Sequence, residues 1–164
     1  MAASSIIPAI RRLRLNDLAT FRLIAGTGAH HAETSVRSSP AFPFAERWRE
    51  MSSATFAAYA ASGCSYLAEV EGQLVGYLLA QPISYQDGSP LTIWVDAIAV
   101  HPSYQRQQIG TALYHVLGAW ARTAGVKAIL TRINTANEAA VALHQRAGFE
   151  PHGTGAIVWR LESE

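Results

Sequence analysis

The sequence lacks several features that define whole protein classes. It has one cysteine in 164 residues, so it cannot form an internal disulfide framework or a zinc site built from several cysteines. Only 15% of the residues are charged, and 13 Lys and Arg against 12 Asp and Glu leave a formal net charge of +1. Because no basic excess is available to neutralise a run of phosphates, we do not expect a nucleic-acid partner.

Long apolar runs are also missing. No stretch of about 18 apolar residues occurs, so we expect no membrane span. The first residues lack the positive and apolar regions of a secretory signal, and we therefore expect a cytoplasmic protein. The hydrophobic share is an ordinary 49%, which with this length predicts a single folded domain over residues 1–164.

The hydrophobic pattern predicts a mixed α/β domain. Period-two alternation and β-rich apolar runs mark strands, spacings of three and four residues mark helices, and glycines mark turns. The predicted strands are 10–15, 65–70, 73–81, 91–100, 127–134 and 156–161, and the predicted helices are 17–25, 44–61, 108–123 and 137–147. The order β-α-α-β-β-β-α-β-α-β indicates one mixed sheet with helices on both faces.

Single residues predict where some of these elements end. Asn16 is a plausible N-cap for the first helix, and Gly63 and Gly148 follow the ends of two others. Glu71 and Gly72 separate two apolar runs in the manner of a tight hairpin. The run 91–100 is almost entirely apolar, which predicts a central strand covered on both faces.

The turn after this central strand is a candidate anion site. It leads directly into a helix, whose first backbone N–H groups and positive dipole end would converge there. Arg106 adds a positive charge, and we expect Gly110 to let the backbone approach a ligand closely. Strand-turn-helix geometry alone is weakly specific, and neither the P-loop pattern nor the dinucleotide-binding glycine pattern is present.

Two segments carry a family resemblance. Residues 95–113, with Gln105, Gln108 and Gly110 at the key positions, resemble the acyl-CoA motif [QR]-x-x-G-x-[GA] of GNAT N-acetyltransferases. Residues 137–149 resemble the second motif of that family, N-x-x-A-x-x-L-Y-x-x-x-G-F. The motif regions, about 95–123 and 127–149, occur in the family's order and at its separation, and the predicted elements upstream also fit. The resemblance implies a GNAT-like α/β fold and acetyl-CoA as cofactor.

The resemblance also implies which residues bind the cofactor. The central strand would meet the pantetheine arm as an added strand would, the following turn would wrap the pyrophosphate, and the start of the later helix would contact the arm between two strands. The residues implied are Ile98, Ala99, Val100, Gln105, Arg106, Gln107, Gln108, Ile109, Gly110, Thr111, Asn137 and Ala140.

The sequence departs from the family pattern at two positions. The first glycine of the acyl-CoA motif is Gln108, and we expect backbone N–H donation to persist there if residue 108 has helical angles. The tyrosine that usually gives a proton to the departing thiolate is His144, which the resemblance therefore implies as the general acid. Asp96 is our candidate general base, acting directly or through water, because it interrupts an otherwise apolar strand. The alternative is that Asp96 faces the other side of the sheet and pairs with an arginine.

These features predict an N-acetyltransferase that moves an acetyl group from acetyl-CoA to a primary amine of a small molecule in a ternary complex. The alternatives are a protein or peptide N-acetyltransferase and a non-catalytic acyl-CoA sensor. A homodimer is possible. We hypothesise that the segment 26–43, with Phe44 and Trp48, shapes the acceptor pocket. Adjacent His30 and His31 lack spaced partners, so we expect no metal site.

Overall fold

The computed structural model describes residues 7–25, 50–83, 91–152 and 156–161. Seven strands form one mixed sheet in the order β1-β2-β3-β4-β5-β7-β6. The strands are β1 Ala9–Arg12, β2 Tyr66–Val70, β3 Gln73–Ile83, β4 Thr92–Val100, β5 Ala128–Arg132, β6 Glu150–His152 and β7 Ala156–Arg160. The helices are α1 over residues 18–25, α2 Ser53–Ser62, α3 Ile109–Thr123 and α4 Glu138–Ala147. None of the described helices is long and apolar enough to cross a membrane.

The central strand β4 has different kinds of neighbour on its two sides. It pairs antiparallel with β3, and it pairs parallel with β5 through Thr92 to Val95. Strands that run parallel end at the same edge of a sheet, so the segments that follow β4 and β5 start close together. These segments lead into α3 and α4, and both helices therefore begin beside the carboxyl end of β4.

Helices cover the sheet on both faces, as predicted, and each face has its own core. On one face, Ile109, Leu113 and Leu117 of α3 pack on the sheet. On the other face, the core contains Phe21 of α1 and Phe56 of α2. Strand β4 contributes to both cores, with buried Ile93 and Val95 in the first and partly buried Ala97 and Ala99 packed against the second, which explains why its sequence is almost continuously apolar.

The structure corrects three details of the predicted elements. Helix α2 begins only at Ser53, with the Ser52 hydroxyl accepting the Thr55 N–H, so residues 50–52 of the predicted helix 44–61 are not helical, and residues 44–49 lie outside the described chain. Asn16 is not an N-cap, because it lies inside a short 3-10 turn that leads into α1. The third detail, strand β6, was missed because all three of its residues are exposed and show no apolar alternation.

A small ionic network explains why α1 begins at residue 18 and not at residue 17, where the sequence predicted it. Asp17 accepts the Arg14 N–H at 2.7 Å and two bonds from the Arg11 guanidinium at 2.8 Å. Arg11 also contacts Glu69 on β2. Burial alone would raise the pKa of Asp17, but the bonds from Arg11 and Arg14 lower it below its ordinary value. The network ties β1, the turn and β2 together.

Candidate active site

A gap opens between β4 and β5 at the carboxyl edge of the sheet. Their last paired residues are Val95 and Thr131, and the Thr131 hydroxyl donates to the Val95 carbonyl at 2.8 Å. Strand β4 continues for five more residues, to Val100, and within the described chain β3 alone pairs with that part. One edge of β4 is therefore left without a partner strand there.

Alternate residues of β4 direct their backbone N–H and C=O groups toward this gap. His101, just after the strand, donates its N–H to the Val75 carbonyl at 2.7 Å and so points toward β3. Because successive residues of a strand direct their polar groups to opposite sides, Ile98 and Val100 point toward the gap. The Gln105 amide donates to the Val100 carbonyl at 3.1 Å from that side. Of the three strand residues predicted to bind cofactor, Ala99 alone directs its backbone to β3.

The turn between β4 and α3 adopts an unusual backbone. Arg106 and Gln108 both have a φ of 62°, in the left-handed region that favours glycine. Gln108 precedes the helix with a ψ of 10°, so it does not have the right-handed helical angles that our expectation required. The turn nevertheless closes, and Ala112 makes the first bond of the helix to the Gln108 carbonyl at 2.9 Å.

The start of α3 has the properties of an anion site. The N–H groups of Ile109, Gly110 and Thr111 precede the first intrahelical bond, and the Gln108 side chain does not cap them. They lie at the positive end of a 15-residue helix, where a phosphate group is stabilised. Arg106 is exposed in the same turn and adds a full positive charge.

Gly110 also takes part in the packing of α3 against α4. A Cβ added at this position would lie 3.1 Å from both terminal methyl carbons of Leu143 on α4. The glycine therefore allows α3 and α4 to pack closely at Leu143, and the side on which a Cβ would stand faces α4. The turn itself holds a buried oxygen, Gln107 Oε1, that has no hydrogen-bond partner among the described residues.

The start of α4 lies at the same edge of the sheet. Asn137 is its N-cap, and its side-chain oxygen accepts the Ala140 N–H at 3.1 Å. The Ala140 carbonyl in turn accepts a bond from the His144 ring at 2.7 Å. The polar backbone groups of Ala140 thus serve the helix, and Asn137 is buried at the start of the helix.

Asp96 lies at a β-bulge beside the gap. Leu79 pairs with Ala97 and Ala80 pairs with Val95, so Asp96 is an extra residue with no opposite partner on β3. The bulge breaks the alternation of the strand, and Asp96 faces α2. Its Oδ2 accepts the Tyr59 hydroxyl at 2.9 Å and the Gln81 amide at 3.0 Å. These contacts settle the face of the sheet on which the carboxylate lies.

His144 is enclosed between α3 and α4. Its exposed fraction is 4%, and it packs edge-on against Tyr114 and Phe149. Since a carbonyl can only accept, Nδ1 donates to Ala140, and Nε2 accepts the Tyr114 hydroxyl at 2.7 Å. Burial lowers the pKa of His144, although the bond to Ala140 acts in the opposite direction. The ring is therefore neutral and both nitrogens are bonded.

The structure thus brings the predicted cofactor residues together and separates the two predicted catalytic residues. The strand edge, the turn and the starts of α3 and α4 converge on the gap. Asp96 adjoins the gap on the α2 face, whereas His144 belongs to the α3 and α4 face. Cys64 is completely buried.

Comparison with known proteins decides the family. The sequence profile of the acetyltransferase (GNAT) family matches residues 33–149. The chain belongs to the GNAT acetyltransferase family. It is 32% identical over 89 residues to a probable N-acetyltransferase, camello, of Xenopus tropicalis. That match covers 54% of this chain and 39% of the relative, so the aligned region spans well under half of the relative's length.

Solved structures show the same GNAT fold. The PaiA N-acetyltransferase of Thermoplasma acidophilum, in complex with coenzyme A, superposes with a TM-score of 0.77 at 15% identity, over 94% of this chain and 99% of that one. The polyamine N-acetyltransferase of Drosophila melanogaster, which forms N-acetylagmatine, gives a TM-score of 0.68 at 13% identity, over 94% and 100%. The mixed sheet and its order are therefore those of a GNAT domain.

The residues at the gap fit acetyl-CoA, the cofactor of the GNAT family. The backbone groups of Ile98 and the N–H of Val100 can pair with the amides of a pantetheine arm, whereas the Val100 carbonyl already accepts a bond from Gln105. The first N–H groups of α3, with Arg106, suit a pyrophosphate. The buried Gln107 Oε1 adds an acceptor for a donor that the described chain does not supply.

Sequence reasoning missed two polar residues of this site. Tyr59 has helical spacing with apolar neighbours, so it resembled a core residue, and its ring is indeed 7% exposed. Gln81 occupies an ordinary strand position. No sequence signal links either residue to Asp96, because the bulge creates both contacts. His30, His31, Phe42, Phe44 and Trp48 lie outside the described residues.

Proposed function

We propose that this GNAT domain transfers the acetyl group of acetyl-CoA to a primary amine of a small molecule, with Asp96 as general base. The observation that carries the proposal is the position of Asp96. It is the residue immediately after the last β4–β5 pair, so its carboxylate adjoins the point where the gap opens. Two donors hold that carboxylate on the face of the sheet covered by α2.

The residues around the gap divide the binding of the cofactor among them. Ile98 and Val100 offer main-chain groups to the pantetheine arm, as a neighbouring strand would. The N–H groups of Ile109, Gly110 and Thr111, together with Arg106, hold the pyrophosphate. Acetyl-CoA, when bound, supplies the thioester that the amine attacks.

The main chemical task of the protein is to remove a proton from the acceptor. An alkyl ammonium group has a pKa of about 10.4, so keeping it neutral near pH 7 costs roughly 4 to 5 kcal/mol. Asp96 accepts this proton, either directly or through one water, before the amine attacks. The amine nitrogen then carries a lone pair for the new bond to the acetyl carbon. As the C–N bond forms and the C–S bond of the thioester breaks, the nitrogen loses its second proton to solvent and the thiolate leaves.

Backbone donors stabilise the charge that develops during attack. The N–H of Ile98 points into the gap close to Asp96, so it can donate to an oxygen that becomes negative there. Such a donor, already fixed in place by the strand, is most effective where water is excluded.

Protonation of the leaving thiol is the smaller requirement, because a thiol has a pKa of only about 8.5. The resemblance implied His144 for this step. In the folded tautomer, Nδ1–H is bonded to Ala140 and Nε2 carries no proton. We therefore assign the proton to solvent and give His144 a structural role.

A thiol-release assay over a panel of acceptors tests the proposal. The panel holds diamines and polyamines, aminoglycosides, amino acids and short peptides, each measured with acetyl-CoA and with a water-only control. We expect amine-dependent thiol release with small amines. Thiol release with peptides but not with small amines would indicate a protein acetyltransferase instead. Cofactor binding without release on any amine would indicate a sensor.

A further inference from the structure

The polar contacts of Asp96 have a feature that the proposed reaction does not itself require. Tyr59 from α2 and Gln81 from β3 both donate to the same oxygen, Oδ2. Two bonds from different elements fix that oxygen and, with it, the plane of the carboxylate. They therefore also fix the direction in which Oδ1 points.

Such control is needed at this position because Asp96 is the unmatched residue of a bulge. In a regular strand the pleat sends successive side chains to opposite faces, and the register shift at Asp96 breaks that alternation. The local backbone alone would leave the carboxylate several rotamers. The two hydrogen bonds select one of them.

Tyr59 is suited to this task by its burial. Its ring belongs to the core under α2 with Phe56, and a phenylalanine would fill the same space. The hydroxyl therefore adds a function that packing does not need. A hydrogen bond to an ionised carboxylate contributes about 1.5–3 kcal/mol, more than one between neutral groups.

A second cluster holds the two donors in a fixed relation. The Ala80 carbonyl, next to Gln81, accepts the Ser65 hydroxyl at 2.9 Å and lies within hydrogen-bond distance of Cys64 Sγ at 3.3 Å and Ser62 Oγ at 3.1 Å, and Ser62 Oγ also reaches the Tyr59 carbonyl at 2.7 Å. Ser65 Oγ also accepts the Ala80 N–H at 3.0 Å. Since Ser62 ends α2 and Ser65 precedes β2, this cluster ties the helix that carries Tyr59 to the strand that carries Gln81.

We propose that Tyr59 and Gln81 are positioning residues for acetyl transfer, holding the Asp96 carboxylate in the orientation that accepts the proton of the acceptor amine. The inference rests on the proposed function, because it assigns a purpose to contacts of the proposed base. It concerns kcat/KM for the amine and leaves the cofactor site unchanged.

The test compares Tyr59→Phe, Gln81→Ala and their double variant with the wild-type protein. Tyr66→Phe is the matched control, since Tyr66 is equally buried and its hydroxyl interacts with Arg12 instead. We expect each single variant to lower kcat/KM for the amine about 10-fold. We expect the control to change it less than 2-fold, and the dissociation constant of acetyl-CoA to stay constant in all variants.

The pH profile separates positioning from simple packing. Hydrogen bonds to a carboxylate favour its charged form, so their loss should move the acidic limb of kcat/KM to higher pH. The titratable groups that face Asp96 include the Tyr59 hydroxyl from α2 and the Cys64 thiol from the segment after it. Burial raises the pKa of Cys64, so this thiol stays neutral across the acidic limb.

Measurements in an Asp96→Asn protein distinguish the positioning role of Tyr59 from the role of Asp96 as general base. If Tyr59 acts through Asp96, Tyr59→Phe has no further effect in the Asp96→Asn protein. A full 10-fold loss in that background, or wild-type kinetics and pH profile for Tyr59→Phe in the Asp96 protein, overturns the positioning role. Wild-type activity of Asp96→Asn alone overturns the assignment of the base instead.

Discussion

At the scale of single residues, Gln108 shows how a family position can change without loss of the turn. Where the acyl-CoA motif of the family has glycine, this chain has a glutamine at φ 62° and ψ 10°. A left-handed conformation costs a residue with a Cβ about 1–2 kcal/mol. The sequence predicted the turn and its place, but not the strain, because the angles follow from how β4 and α3 are held by the rest of the sheet.

This strain leads to a stability prediction for Gln108→Gly. The variant removes the Cβ penalty and adds some backbone entropy to the unfolded chain, so we expect the free energy of unfolding to rise by about 0.5–1 kcal/mol. Urea denaturation measures it. Gln107→Gly is the control, since Gln107 is not at positive φ and its amide donates to Ser103. That variant should be less stable than the wild type. Destabilisation of both proteins to the same degree would contradict the account.

At the scale of elements, the pairing of α3 with α4 is the contact that sequence reasoning described least well. The second motif was recognised, but the direction of His144 was not, because a helical position gives spacing and leaves the facing element open. In the structure, the open side of Gly110 admits Leu143, and Tyr114 reaches the His144 ring. Both contacts lie between the two helices.

This contact predicts that His144 contributes to stability more than to catalysis. His144→Phe leaves the buried Tyr114 hydroxyl without its acceptor, and we expect a loss of about 1–3 kcal/mol in the free energy of unfolding. The double variant His144→Phe with Tyr114→Phe should recover much of it, because both polar groups are removed together. Turnover per folded molecule should change less than about 3-fold. A turnover loss of 10-fold or more in a stable His144→Phe protein would restore the acid role.

The pH dependence of stability also tests the burial of the neutral His144 ring. Burial lowers the pKa of His144 below the ordinary 6.5. The unfolded chain therefore takes up this proton first as the pH falls, and the native state loses stability below about pH 6.5. His144→Phe should lack this part of the acid sensitivity when the two proteins are compared between pH 7 and pH 5.

At the scale of the whole molecule, sequence patterns predicted the order of the elements, the central strand and the gathering of the cofactor residues. They could not predict the bulge at Asp96, because no residue type marks the register shift between Leu79 and Ala80. A perfect alternation would put Asp96 and Ala97 on opposite faces, whereas the bulge breaks that alternation at the position of the proposed base. The most consequential feature of the site therefore depends on pairing across the sheet.

Charge is also understood best at this scale. A net charge of +1 is small for a protein that binds a polyanionic cofactor. The backbone N–H groups at the start of α3 and a single exposed arginine, Arg106, provide the local field. Backbone N–H groups attract an anion without changing the net charge. The composition therefore argued against a nucleic-acid partner but did not argue against an anionic cofactor.

One measurement tests the central claim most directly. The wild-type protein and Asp96→Asn are incubated with acetyl-CoA and a primary amine that supports thiol release, and free thiol and acetylated amine are quantified together while acetyl-CoA binding is measured separately. We predict equal amounts of thiol and acetylated amine from the wild type. We predict a rate at least about 100-fold lower for Asp96→Asn, with its acetyl-CoA affinity retained. Thiol release without acetylated amine, or a wild-type rate from Asp96→Asn, would contradict the account.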